Sequence, residues 1–568
     1  MTTSTRTNIE LLPTTDLSDA LNDTLNQIIT HATETTNAVK APVISSFAQI
    51  FGTGGADNIH GTAADDEIFA SGGNDTIEAG EGNDTIDGGD GDDYVDSHSG
   101  GNDVFYGGVG NDFYYGFTGN EKIYGDWGND TLKGYSGDDV LEGGMGADYL
   151  DGGTGWDWAS YATSKTGVSA SLLLKAGYAG DANGDTLTNI ESLTGSKFSD
   201  YLAGDDNGNV LDGAAGADVL YGNGGWDNVY GGEGNDTIDG GVGSDYLSGD
   251  GGNDTFKQAV FGSDYINGGA GSDTVDYSLV PKQWSGWTAG IEVNLNDGYA
   301  GYSRTSVHAG QNTGQDTLAD IENVIGTKWN DLLVGNEKDN VFTSGGGQDG
   351  PYGNGGDGMY GNGGNDTFVM SANGAAWLDG GTGIDTVDYS SSTLSVVLTL
   401  DGNEANNYGA AAGTTAVGIE NVIGGKVGDS IFGNAASNAI NGMGGDDWIV
   451  GGYGGDVLTG GAGKDEFRFT SVTDSINDTN WGLRDKITDF TSGADHIDVW
   501  QIDANANING NQSFNYLGDK AFTSAGQIRS YYQGDHTIVE FNTSDAAGAE
   551  MVIELSGHVA LTAYDFVL

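Results

Sequence analysis

Between residues 51 and 160 an apolar side chain returns about every nine positions: Ile59, Ile68, Ile77, Ile86, Val95, Phe105, Tyr114, Ile123, Leu132, Leu141, Leu150 and Ala159. Glycine and polar residues fill most of the space between. This spacing fits neither the 3.6-residue period of a helix nor the sustained alternation of an ordinary strand. It predicts three-residue strands with the middle side chain facing inward, joined by tight turns. Two clean copies run Gly143-Gly144-Met145-Gly146-Ala147-Asp148-Tyr149-Leu150-Asp151 and Gly152-Gly153-Thr154-Gly155-Trp156-Asp157-Trp158-Ala159-Ser160. With each copy numbered one to nine, glycine favours positions one, two and four, aspartate fills six, and the apolar residue stands at eight.

The sixth positions carry the candidate chemistry. In the first tract (51–160) they are Asp57, Asp66, Asp75, Asp84, Asp93, Asp103, Asp112, Asp130, Asp139, Asp148 and Asp157, with Glu121 replacing one. A second tract (195–276) has Asp200, Asp218, Asp227, Asp236, Asp245, Asp254, Asp264 and Asp273, with Asn209 among them. A third, worn tract (326–388) keeps Asp331, Asp349, Asp366 and Asp385, and its spacing slips near Pro351 and Asp357. A fourth (424–468) has Asp429, Asp447, Asp456 and Asp465. Glycine permits positive φ and lets carbonyl oxygens crowd together. A carboxylate beside such carbonyls makes an all-oxygen site suited to a hard cation, calcium above all. Read otherwise, these acids only shape Asp-Gly turns, but a chance series of turns would not hold one period for a dozen copies.

Strand-bearing inserts separate the tracts at 161–194, 277–325 and 389–423. They share a plan: Asp276-Tyr277 and Asp388-Tyr389 open matching inserts, and the phrases Thr186 to Glu191, Asp316 to Glu322 and Ile419-Glu420 close all three. The acid- and Asn-bearing loop at 180–191 resembles an EF-hand loop but has Thr186 at its sixth place and Ser192 at its twelfth, which fails that geometry. Ahead of the repeats, residues 1–50 form an N-terminal segment. In it Leu17, Leu21, Leu25, Ile28, Ile29 and Ala32 have helical spacing over 16–39, as a helix covering an open solenoid end would.

Composition sharpens this picture. The 568 residues carry 19 basic and 84 acidic side chains, a net charge of −65. That excludes a nucleic-acid face, disfavours anionic lipid, and would drive a compact body apart. Bound divalent ions resolve the repulsion: if consecutive turns share the 28 sixth-position acids, roughly 20 calcium ions would bind. There are 102 glycines and no cysteine, so metal and stacking rather than disulfides must stabilise the chain. No apolar run is long enough for a transmembrane helix, and Met1 to Thr15 lacks the apolar core of a secretory signal peptide.

The nonapeptide resembles the calcium-binding repeat of RTX (repeats-in-toxin) proteins, which wind as a parallel β-roll. Residues 469–568 resemble the C-terminal domain of the serralysin metalloproteases. The matching phrases are Asp485-Lys486-Ile487-Thr488-Asp489-Phe490, Asp495-His496-Ile497-Asp498-Val499, Ile502-Asp503-Ala504-Asn505 and the last twelve residues. That resemblance implies a cap on the roll and an uncleaved type I secretion signal, borne by Asp565 to Leu568. The chain has no pair of histidines four apart with a glutamate between them, so protease activity is not carried over. It has neither a Gly-x-Ser-x-Gly elbow nor a cysteine nucleophile.

The expected fold is all-β: a calcium-bound parallel β-roll solenoid in several tracts with β inserts, a short N-terminal helix and a β-rich C-terminal cap. The expected function is that of a secreted, non-catalytic calcium-binding protein of a cell surface, S-layer, matrix or adhesive coat, exported by a bacterial type I system and folding on calcium outside the cell. Cell-surface polysaccharide and self-association are the candidate partners. Alternatives are an extracellular carbohydrate-active or carbohydrate-binding protein, since aromatics are frequent in the first tract, and a toxin-like membrane-active protein.

Overall fold

The computed structural model describes residues 47–97, 100–259, 262–280, 289–302, 314–345, 357–371, 375–402, 406–476, 483–544 and 548–568. The helix expected over 16–39 and the candidate ligand Asp349 lie outside the described residues. Within them the protein is all-β, with two short 3₁₀ turns, Gly180–Ala182 and Ala563–Asp565, and no α-helix.

Positions seven to nine of each copy make the strands. Phe113–Tyr115, Thr131–Ser136 and Tyr149–Thr154 follow one another on one face; Lys122–Tyr124, Val140–Glu142 and Trp158–Ser160 do so on the other. Pairing is parallel and joins residues two copies apart: Leu132 faces Tyr114 and Leu150, and Leu141 faces Ile123 and Ala159. Two copies therefore make one coil, and the two faces bring their position-eight side chains together. Leu132, Leu141 and Leu150 are fully buried, as are Leu220, Val229, Ile238 and Leu247 in the second tract. The core is a thin column, one apolar side chain thick from each face. Glycine turns let the coils close at this spacing.

The first two inserts extend the faces without breaking them, while at the third one face is divided between two sheets. After Trp158–Ser160 the chain forms an antiparallel hairpin, Ser169–Ser171 with Ala176–Ala179. It then returns as Thr186–Thr188, beside Tyr149–Thr154, while Ser169–Ser171 pairs with Tyr201–Ala203 of the next tract. Ala289–Asn294 with Tyr299–Tyr302 repeats the device, and Gln315–Ala319 rejoins Tyr265–Asn267. The third insert uses Val396–Thr399 with Tyr408–Gly409. Each insert buries a tyrosine at its entrance: Tyr161, Tyr277 and Tyr389.

At the C-terminal end, Gln527–Gln533, His536–Asn542 and Met551–Ser556 form an antiparallel meander. Met551–Ser556 docks on Lys486–Ile487, which continues the roll from Val457–Thr459. The chain ends with Phe566–Val567 paired to His496–Asp498.

Candidate metal centre

Position six lies at the end of each turn, just before its strand. Stacking of the coils therefore builds one column of acids along each face. Within a column each acid donates its backbone N–H to Oδ1 of the acid one coil on. Asp93 donates to Asp112, Asp112 to Asp130 and Asp130 to Asp148, each at 2.8 Å. In the other column Asp66 donates to Asp84 and Asp139 to Asp157, again at 2.8 Å. The second tract repeats this from Asp218 to Asp236 to Asp254 to Asp273.

The second carboxylate oxygen is different. In Asp75, Asp84, Asp93, Asp112, Asp130, Asp139, Asp148 and Asp157, and in Asp218, Asp227, Asp236, Asp245, Asp254, Asp264 and Asp273, Oδ2 is buried with no hydrogen-bond donor. The same holds for Asp366, Asp385, Asp447 and Asp456, and for Oε2 of Glu121. A buried, unsatisfied carboxylate oxygen is costly. What surrounds it is more oxygen: a Cβ added to Gly125 would lie 2.6 Å from the Gly143 carbonyl oxygen, and closer still to Asp130 Oδ2. At position four, where Gly128 has φ +143°, a Cβ would fall on the Gly110 carbonyl. The turns are thus concave, lined by carbonyls from successive coils and by one carboxylate oxygen. Among the described residues no three His, Asp or Glu side chains converge on a point. The donor set is mainly backbone carbonyl, the hard all-oxygen environment that calcium takes. The residues present fit that ion.

Position two shows the same demand as strain. Asp126, Tyr135, Asn223, Asp250 and Met443 all stand there with φ between +63° and +72°. That region is costly for residues with a side chain, of order 1–3 kcal/mol each. The acids four positions on, Asp130, Asp139, Asp227, Asp254 and Asp447, all have an orphaned Oδ2.

Tract starts are built the other way. Asp57 Oδ2 accepts from the Thr53 N–H, Asp66 from Thr62, Asp200 from Ser196, Asp331 from Thr327 and Asp429 from Gly425, at 2.5–2.6 Å. Their position-two residues keep φ out of the left-handed region, and the N–H fills the place that elsewhere faces carbonyls alone. Hydroxyls close other rungs: Ser97 and Tyr114 on Asp103, and Ser344 on Asp357 at 2.6 Å. Asp465 accepts the Asp447 N–H at 3.0 Å and passes its own to Asp495. At Asn209, Asn340 and Asn438 the side-chain amide donates to the carbonyls of Glu191, Glu322 and Glu420, at 2.8–3.1 Å. In these three rungs an N–H group does what a cation would do.

Several column members stand outside the nine-residue count. Asp148 donates to Asp185 and Asp157 to Glu191; Asp264 donates to Asp316 and Asp273 to Glu322; Asp385 donates to Glu420. The first two inserts thus return an acid to both columns and the third to one, and the repeated closing phrase of the inserts was the signal. Tyr161 and Tyr277 then donate to Oδ2 of Asp185 and Asp316, each at 3.1 Å. In the third insert Thr414 replaces that acid, and Tyr389 reaches its hydroxyl at 3.4 Å. In the worn tract Asp357, not assigned by spacing, receives the Asp331 N–H at 3.0 Å. Asp485 and Asp495 carry the columns into the C-terminal domain.

Burial lifts the carboxyls of Asp112, Asp157, Asp218, Asp227 and Asp254 to about 7, with the acids of adjoining coils adding to the rise. Asp130, Asp264 and Asp447 reach about 8 for the same reasons. The protein alone therefore gives these charges too little compensation.

The RTX calcium-binding nonapeptide repeat family matches residues 51–85, 69–100, 99–120, 124–158, 186–220, 221–256 and 260–278. The Peptidase M10 serralysin C-terminal family matches residues 358–568, well ahead of the boundary read from sequence. Among solved structures, the solution structure of the AlgE6R3 subunit from the Azotobacter vinelandii mannuronan C5-epimerase is 27% identical. It covers 25% of this chain and 78% of its own, with a TM-score of 0.13. No curated protein matches the chain.

Proposed function

This chain is an array of RTX calcium-binding nonapeptide repeats closed by a serralysin C-terminal domain, and from that premise we propose that it is a non-catalytic extracellular protein of a surface layer, matrix or adhesive coat. It is a calcium-binding protein of the secreted kind; the role in a coat is our reading. The observation that carries it is the column of orphaned carboxylate oxygens facing backbone carbonyls. Such sites exist only when coils stack, so the free energy of ion binding becomes free energy of folding. With weak sites, on the order of 10⁻⁴–10⁻³ M, the chain would stay open in a low-calcium cytosol, pass a type I exporter unfolded, and wind up outside.

Calcium would be held by the second oxygens of Asp75, Asp84, Asp93, Asp112, Asp130, Asp139, Asp148 and Asp157 and by their second-tract counterparts, with position-one and position-four carbonyls completing each shell. When bound, the ion supplies the positive charge that these buried acids otherwise lack. Among the described residues 21 acids have such an orphaned oxygen, the 20 at sixth positions together with Asp485, in keeping with roughly 20 ions. The tract-start acids Asp57, Asp66, Asp200, Asp331 and Asp429 serve on this reading as turn locks.

A titration followed by circular dichroism tests the premise: strand content should appear on addition of calcium, and full strand content in excess chelator would refute it. Electron microscopy tests the role. Sheets or filaments with calcium support a coat; dispersed single rods favour the second reading, a carbohydrate-binding protein. That second reading draws on rows of tyrosines along the roll, Tyr230, Tyr246 and Tyr265 with ring centroids 5.7 and 5.3 Å apart.

A further inference from the structure

The first insert folds back beside the roll and closes one end of a cleft of about 350 Å³. The floor is Tyr124 and Glu142, neighbours in register on adjacent coils. One wall is Trp127 and Met145, bridged to each other through their backbones and 62% and 51% exposed. The insert supplies the far side with Lys165 and Asp181. Beyond the cleft the floor continues as Tyr106, whose ring stacks on Tyr124 at 5.1 Å and 8°. The result is a trough along the solenoid axis, running from Tyr106 to the insert.

We propose that this cleft binds the end of an uncharged glycan chain, with one sugar ring seated on Tyr124 and Trp127. The volume is that of a small-molecule site. Exposed Trp127 presents a flat, electron-rich face, which suits the weakly positive C–H face of a pyranose, and half-buried Tyr124 sets a second ring beside it. Around them stand acceptors and a donor in the proportion that sugar hydroxyls need. Glu142 is 7% exposed and held in place by Ser160 Oγ at 3.1 Å and by the Thr163 hydroxyl, and its carboxylate has further lone pairs. Asp181 accepts as well. Lys165 donates, its Nζ steadied on the Thr163 carbonyl at 2.9 Å. The acids outnumber the lysine, and the chain carries −65 overall, so an anionic polymer would be repelled. The trough shape sets the direction: the terminal sugar lies against the insert and the chain leaves over Tyr106. This rests on the second, carbohydrate-binding reading above and gives that reading its ligand.

Calorimetry on the full-length, calcium-loaded chain tests it, using neutral tetrasaccharides of glucose, N-acetylglucosamine, mannose and galactose, with tetragalacturonate as the anionic comparison. The expected result is saturable binding of at least one neutral tetrasaccharide and at least tenfold weaker binding of tetragalacturonate. Trp127→Ala and Tyr124→Ala should each weaken the neutral ligand tenfold or more, with the calcium midpoint of the circular-dichroism signal unchanged. A calcium-folded chain that binds none of the neutral sugars, that prefers tetragalacturonate, or whose two aromatic variants bind as well as the parent would overturn the proposal. Equal sugar binding in excess chelator would leave the cleft standing and sink the calcium reading instead.

Discussion

In the C-terminal meander, partly buried acids have cations beside them. Arg529 lies 2.6 Å from Glu540, and Lys486 lies 3.5 Å from Glu554. Where the roll meets that domain, Arg468 reaches the fully buried Asp498 at 2.5 Å. In the coils of the first tract, Asp112, Asp130 and Asp148 are as deeply buried and accept only a backbone N–H. The two regions also differ in core. The meander buries Ile528, Val539, Phe541, Met551, Ile553 and Leu555 across three strands, whereas each half-coil adds about one apolar side chain to the same continuous core. One region carries its counter-charge in its own side chains, and the other leaves it to the solution.

Removing calcium should separate them most. In excess chelator, amide exchange over 104–276 should become fast, while Gln527–Gln533, His536–Asn542 and Met551–Ser556 stay protected. Equal loss in both regions would mean that the meander has no stability of its own and would break the comparison.

Acid should produce the next largest effect. Without metal, burial raises carboxyls such as Asp112 and Asp130 from the ordinary 3.8 to about 7 and about 8. The folded coil then holds protons that the unfolded chain has released, so this contribution is full below about pH 4 and is lost as pH rises through 7–8. Metal-free protein should gain strand signal on titration from pH 8 to 5, whereas calcium-loaded protein should lose ions over the same range. A metal-free signal that rises with pH would contradict the assignment of the columns.

Within the roll, Asp130→Asn and Asp200→Asn sharpen the contrast between orphaned and locked acids. The first should lower calcium stoichiometry and the thermal midpoint together. The second should leave stoichiometry unchanged, because Asp200 already accepts from the Ser196 N–H and hydroxyl and from the Val168 N–H. Equal loss of calcium in both would erase the distinction. The smallest effect belongs to the inserts: Tyr161→Phe should cost about 1 kcal/mol by stranding Asp185, and Tyr389→Phe less, because it gives up only a 3.4 Å contact with Thr414. Urea unfolding in calcium measures both.

Much of this architecture could be read from the order of residues. The apolar eighth position gave the strands and the thin core, because a side chain that recurs once per half-coil has only one place to go. Pairing across eighteen residues follows from two copies per coil. Asp185, Glu191, Asp316, Glu322 and Glu420 were not reached by counting, since an insert of variable length hides the register that the columns keep in space. Asp357 escaped for the same reason, behind a slipped spacing.

The chain alone determined that acids recur at fixed places and that oxygen would surround them, because glycine and aspartate leave the turn little other chemistry. Only the stacked coils decided which acids keep a bare, buried oxygen and which are sealed. Where the position-two N–H donates to the carboxylate, as at Thr62, Ser196 and Thr327, the oxygen is sealed; where position two has positive φ, as at Asp126, Tyr135 and Met443, it is left bare. The choice is made by the coil above and the coil below, where neighbouring carbonyls either face the carboxylate alone or are joined there by a donor.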